Sequence, residues 1–93
     1  MIQSFKCKET AKIFDTGFSR KFPVSILKSS IIRLAMINRS GKLDDLKVPP
    51  SNHLEKLSGD REGQYSIRIN TQYRVCFKWE GSNAFDVEII DYH

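Results

Sequence analysis

The chain has only two cysteines and two histidines in 93 residues. Cys7 and Cys76 are too few for the framework of a small disulfide-stapled domain, and no Cys/His pair has zinc-finger spacing. No apolar run approaches the ~20 residues that cross a bilayer; the densest stretch, Ile31 to Ile37, is broken by Arg33. The opening Met1-Ile2-Gln3-Ser4-Phe5-Lys6 lacks the apolar core of a secretory signal. Internal repeats and low-complexity tracts are missing too. These absences predict a cytoplasmic, soluble domain without a metal or cofactor.

A hydrophobic fraction of 40% and a charged fraction of 28% are those of an ordinary folded chain. At this length the chain can build one core of two layers, so residues 1–93 are expected to be a single domain. The net charge of +4 conceals a split. Residues 1–42 carry nine Lys and Arg against Glu9 and Asp15, whereas residues 43–93 carry six against nine carboxylates. A basic half attracts polyanions, because Lys and Arg displace counterions from phosphates. It also attracts acidic proteins. A solvated helical surface has the same composition and is the plainer reading.

Hydrophobic period divides the chain. Ile2 to Phe5 reads as a short strand. A helix is expected from about Lys8 to Thr16, with Ala11, Ile13 and Phe14 apolar and Gly17 stopping it. Pro23 suits the first turn of a second helix that runs to about Arg39. Val24, Leu27, Ile31, Leu34 and Ala35 recur at helical spacing and predict its core face, with Ile32 and Met36 off that stripe. Leu43 to Asn52 is a connector, since Pro49-Pro50-Ser51-Asn52 cannot continue a helix. Beyond it the period becomes two. Tyr65, Ile67 and Ile69, then Tyr73, Val75, Phe77 and Trp79, then Phe85, Val87 and Ile89 alternate with polar residues, predicting three strands. Their short links make them consecutive antiparallel hairpins. The class is α+β: two N-terminal helices on one face of a small, mainly antiparallel sheet.

Strand side chains alternate, so the apolar odd-numbered residues should face the helices and the even-numbered ones the opposite side. That gathers Arg68 and Arg74 on one surface, with Tyr92 joining from the last strand. Two like charges on adjacent strands repel unless an anion lies between them. Cys76 shares that face as an ordinary half-buried thiol, and Trp79 belongs to the core. Asp91 and His93 close the chain at the rim, and His53 and Lys56 lie where the connector enters the sheet. Each of these alone reads as a surface residue. Together they suit metal-free RNA cleavage, in which a ribose 2′-OH attacks its own phosphate. That reaction needs a base, an acid and cations for the developing charge. Mere binding of a phosphate-containing ligand would use the same set.

Three stretches add a resemblance: Leu57-Ser58-Gly59-Asp60-Arg61-Glu62-Gly63-Gln64-Tyr65-Ser66-Ile67-Arg68-Ile69-Asn70, then Tyr73-Arg74-Val75-Cys76-Phe77, then Val87-Glu88-Ile89-Ile90-Asp91-Tyr92-His93. With the opening six residues, they resemble the HigB branch of the RelE/ParE toxin superfamily across nearly the whole chain, the terminal Asp-Tyr-His most specifically. The resemblance implies a RelE-like fold and the toxin of a type II toxin–antitoxin module. It implies a ribosome-dependent endoribonuclease that cuts messenger RNA in the A site and so inhibits translation. The implied partners are the ribosome and a HigA-like helix-turn-helix antitoxin, through which alone the toxin meets operator DNA; the free toxin is expected to be a monomer. The implied catalytic residues are His53, Lys56, Arg74, Asp91, Tyr92 and His93, with Arg68 a lesser RNA-binding position. Asp91, His53 or His93 would take the 2′-OH proton, and a protonated histidine would serve the leaving oxygen. Lys56 and Arg74 would stabilise the phosphorane, and Tyr92 would stack on a base. The alternatives are a ParE-like gyrase poison that cuts nothing, and an inactive corepressor.

Overall fold

The computed structural model describes residues 1–92. Helix α1 spans Lys8–Thr16 and α2 spans Val24–Arg39. Four antiparallel strands follow, β1 (Glu55–Lys56), β2 (Gln64–Arg68), β3 (Tyr73–Glu80) and β4 (Asn83–Asp91), ordered as in the chain. The connector coils into short 3₁₀ turns at Leu43–Lys47 and Pro50–Asn52, and a third turn, Gly59–Arg61, links β1 to β2. The two-residue edge strand β1 has no periodicity of its own and adds to the three long strands expected, whereas the short strand expected at Ile2 to Phe5 is reduced to two isolated bridges.

Both helices pack on one face of the sheet. Ile13, Ile26, Leu34 and Ile37 meet Ile67, Val75, Phe77, Val87 and Ile89 in one buried cluster. Each large apolar side chain buried this way stabilises the fold by roughly 1.5–3 kcal/mol. The chain enters parallel to β4, with bridges Ile2–Ala84 and Phe5–Val87. Past Phe5 the task of covering that edge passes to a side chain: the wholly buried Thr10 of α1 accepts a hydrogen bond from the Ile89 N–H at 3.0 Å. At the far end, Arg33 Nε of α2 donates to the Arg68 carbonyl at 2.9 Å. Helix α1 stops as expected, with Gly17 at φ 79° donating to the Ile13 carbonyl.

Two expectations about faces are corrected. The buried row of α2 is Ile26, Leu27, Ser30, Leu34 and Ile37, while Val24 is 76% and Ile31 40% exposed. Ser30 lies in the core because its hydroxyl donates to the Ile26 carbonyl at 2.7 Å, and this polar residue hid the true stripe. The second correction concerns β4. Val75 pairs with Ile89 and Cys76 with Glu88, but Lys78 then pairs with Phe85. An extra residue is accommodated at Asp86, whose φ is 53°. The bulge turns Phe85 to the side away from the helices and gives its expected inward place to the buried Ala84.

Thr10→Val keeps the shape of the side chain but leaves the buried Ile89 N–H without an acceptor. Chemical denaturation should show a loss of about 1–3 kcal/mol, with hydrogen exchange at Ile89 accelerated beyond the change in global stability.

Candidate active site

The sheet face opposite the helices is much less open than alternation suggests. Gln64, Ser66, Arg74 and Cys76 are all buried there. At their centre is Arg74 on the interior strand β3, only 6% exposed. A buried guanidinium requires partners for its donors. Nε donates to Ser66 Oγ at 2.8 Å, and Nη2 donates to the carbonyls of His53 and, at 3.4 Å, Ser66. Nη1 stands 3.8 Å from Glu55 Oε1. The Tyr92 ring lies over the guanidinium, 5.5 Å from Cζ to the centroid.

Arg68 and Arg74 are register partners, as expected, but the pair does not depend on an anion between them. Arg74 turns toward Ser66 and β1, while Arg68 Nε folds back onto the Asn70 carbonyl at 3.1 Å.

A pocket of about 270 Å³ is lined by Glu55, Lys56, Leu57, Ser58, Arg61 and Tyr92; Arg74 itself is not in the lining but touches it through its partners Glu55 and Tyr92. Lys56 and Tyr92 therefore come together. Glu55 pairs with Ser66 and Lys56 with Tyr65, so the two leave β1 on opposite sides, and Lys56 borders the pocket from the strand edge. His53 is exposed at φ 45°, and its tie to Arg74 is through the main chain. Asp91 is set apart: it pairs with Tyr73, on the helix side, and Oδ2 accepts from Gln72 Nε2 at 3.0 Å. His93 lies outside the described residues.

Two charged side chains at the pocket, Glu55 and Arg61, were not assigned from sequence. Glu55 supplies a carboxylate on Arg74's face; its alternation with Lys56 was readable, but a two-residue strand gave no period to fix its direction. Arg61 is carried in by a turn whose flanking Gly59 and Gly63 have φ of 64° and 88°. Its Nη1 donates to Gln64 Oε1 at 3.1 Å and to Glu88 Oε2 at 3.4 Å. Lys6 Nζ also approaches Glu88, at 3.7 Å. One carboxylate is thus shared by two cations, and the face keeps a positive surplus suited to a phosphodiester.

Beneath these charges, burial pushes the Cys76 thiol up to about 11, with Arg61, Glu88 and Arg74 as smaller influences. Burial also acts to raise Cys7, but hydrogen bonds from the Thr10 backbone and side chain and the Glu9 backbone, with the Lys21 ammonium, outweigh it and hold that thiol below its ordinary value.

Known proteins share this architecture. A chain of the heterotetrameric YoeB–YefM toxin–antitoxin complex of Staphylococcus aureus superimposes with a TM-score of 0.61 at 17% identity, covering 100% of this chain and 98% of that one. YafQ of Escherichia coli gives 0.59 at 12% identity over 98% and 93%. The fold is that of the RelE-like toxins.

Sequence narrows the class. A family model described as the RelE-like toxin HigB of type II toxin–antitoxin systems matches residues 3–93, and the chain belongs to that family. It is 35% identical to Toxin HigB-1 of Vibrio cholerae over 85% of this chain and 84% of that protein. It is 30% identical to Endoribonuclease HigB of Proteus vulgaris over the full length of both. An uncharacterized protein of Haemophilus influenzae is 42% identical over 69% of this chain, which spans 63% of that protein's length. No helix among the described residues is long and apolar enough to cross a membrane.

With a maleimide at pH 8, Cys7 should label in the folded protein, while Cys76 should label only after denaturation. Mass spectrometry of the digest separates the two, and early labelling of Cys76 would contradict the closed face.

Proposed function

We propose that this toxin is a ribosome-dependent endoribonuclease that cuts messenger RNA in the A site, in the cytoplasm, and that a HigA-like helix-turn-helix antitoxin restrains it and links it to operator DNA. The carrying observation is Arg74: a guanidinium fixed by Ser66 and the His53 carbonyl, beside a pocket and under an exposed aromatic ring. The resemblance to a relative named as an endoribonuclease over its full length supports the chemistry.

In the proposed reaction the ribose 2′-OH attacks the adjacent phosphorus and the bond from phosphorus to the 5′-oxygen breaks. The 2′ proton passes to a base, and the leaving oxygen receives a proton. The products are a 2′,3′-cyclic phosphate (opened in turn to a 3′-phosphate) and a 5′-hydroxyl. Lys56 and Arg74 stabilise the phosphorane charge, with Arg61 and Arg68 as further phosphate contacts. Tyr92 stacks on an A-site base with its exposed ring face. We assign the base to the set Glu55, His53 and His93, and rank Asp91 behind them because it pairs with Tyr73, on the helix side of the sheet. A protonated His53 or His93 serves the leaving oxygen.

Purified toxin, ribosomes and a defined message test this. Cleavage should require the ribosome, fall in phase with codons and leave a cyclic or 3′-phosphate. Arg74→Lys keeps the charge but not the several directed hydrogen bonds, and should both slow cleavage on the order of 10²-fold and lower the denaturation midpoint, because the same bonds hold the His53 carbonyl and β1. Lys56→Ala and His93→Ala should abolish codon-phased cuts in cells. Glu55→Gln should cost more activity than Asp91→Asn, and the reverse order would return the base to Asp91. Arrested growth with intact messages and damaged DNA would indicate a gyrase poison instead.

A further inference from the structure

The open face of the sheet has a second concavity at the end away from Arg74. Lys78, Glu80, Phe85 and Asp86 border a pocket of about 390 Å³ there. Along β3, Lys78 lies roughly 13 Å from Arg74 at the rise of an antiparallel strand. The turn between β1 and β2 touches both concavities, since Arg61 lines the first and Gly63 the second. Arg61 and Lys6 meet at Glu88, whose register partner Cys76 stands midway between Arg74 and Lys78. The two pockets are therefore ends of one track with cations along it. An extended single strand covers such a span in a few nucleotides.

Phe85 faces the second pocket only because the bulge reverses the parity of β4. Asp86 holds that bulge at φ 53°, a conformation that side chains other than glycine seldom adopt. The core receives Ala84 in place of the ring. The charges at the pocket do not suit a phosphate. Lys78 Nζ is matched by Asp86 Oδ2 at 3.3 Å, and the exposed Glu80 adds a second carboxylate. A ring with carboxylates beside it suits a neutral base: the ring takes the face, and a carboxylate accepts from N–H groups on the edge. Guanine presents N1–H and its N2 amino group side by side, which fits both oxygens of one carboxylate. On the same edge the other bases alternate donors with acceptors.

We propose that the Phe85 pocket is a second base-binding site for the message, in which guanine stacks on the ring and donates to Glu80. The proposal rests on the nuclease reading above. It adds a sequence preference at a nucleotide away from the cut.

Trp79, the sole tryptophan, also lines the pocket and reports on it. Short 2′-O-methyl oligonucleotides, which lack the attacking hydroxyl, should quench its fluorescence, and several-fold more weakly once guanine is replaced. Glu80→Gln and Phe85→Leu should each lower affinity for the guanine oligonucleotide about tenfold. Glu80 is exposed, so its variant should fold normally, and a melting curve checks Phe85→Leu. With ribosomes and messages randomised around the cut, wild-type toxin should favour guanine at one fixed position outside the cut nucleotides. Both substitutions should reduce that preference about tenfold, whereas Arg74→Lys should slow all messages alike. Equal quenching by all bases, or a guanine preference unmoved by Glu80→Gln, overturns the site and leaves the nuclease reading intact. Quenching by inorganic phosphate in place of the bases gives the pocket to an anion and overturns it too. Guanine-dependent quenching by a toxin that cuts no message overturns the nuclease reading and keeps the base recognition.

Discussion

A buried guanidinium organises one whole side of this molecule. Taking Arg74 out of water is costly, and the cost is met by fixed partners: a hydroxyl, two carbonyls, a carboxylate and an aromatic face. Those partners come from the connector, β1, β2 and the chain's last described residue. Satisfying one side chain therefore draws four separated segments together. The same contacts hold the guanidinium still, which is what the proposed role at developing phosphate charge would require, because a cation that reorients during reaction loses much of its value. Stability and preorganisation have a common origin here.

The two faces of the sheet divide the work. Apolar side chains from both helices fill one face, and their burial drives folding. On the other, neighbouring cations would repel one another, and the structure limits this in two ways. Arg68 and Arg74 diverge along the strands, and Glu88 is shared between Arg61 and Lys6. Lys78 is matched by Asp86 at 3.3 Å, and Lys6, Arg61, Arg68 and Arg74 are then set against Glu55, Glu88 and Glu80, so the face keeps a small excess of cations, with Lys56 at its edge.

How much of this was legible in the sequence follows from where periodicity holds. The bounds of α1, the antiparallel order of the long strands and the opposition of Arg68 to Arg74 all follow from strict repeats, and the structure has them. Periodicity failed at three residues with local reasons. Ser30 satisfies its hydroxyl within its own helix and so enters the core without looking apolar. Asp86 takes a positive φ and shifts the parity of β4, which no alternation rule foresees. Glu55 lies in a strand too short to have a period. At the site, the residues that alternation governs, Arg74 and Tyr92, meet as the register requires. The same rule, applied to Asp91, separates it from them, since adjacent strand residues point to opposite sides.

The site also joins elements of unequal firmness. Arg74 stands on β3, which is hydrogen-bonded to a strand on each side. Facing it, Glu55 and Lys56 belong to β1, a two-residue strand at the sheet edge continued by the bond from the Leu57 N–H to the Gln64 carbonyl at 2.8 Å. A strand this short resists edge-to-edge pairing with other chains, and it opens at the expense of few ladder bonds. What holds it closed is largely the guanidinium itself, through the His53 carbonyl and Glu55. Under the proposed reaction, a phosphate brought to that guanidinium would compete with Glu55, so binding it and closing β1 would draw on the same interaction. The guanidinium stands on the firm strand, whereas Glu55 and Lys56, which line the pocket, stand on the one that can give way.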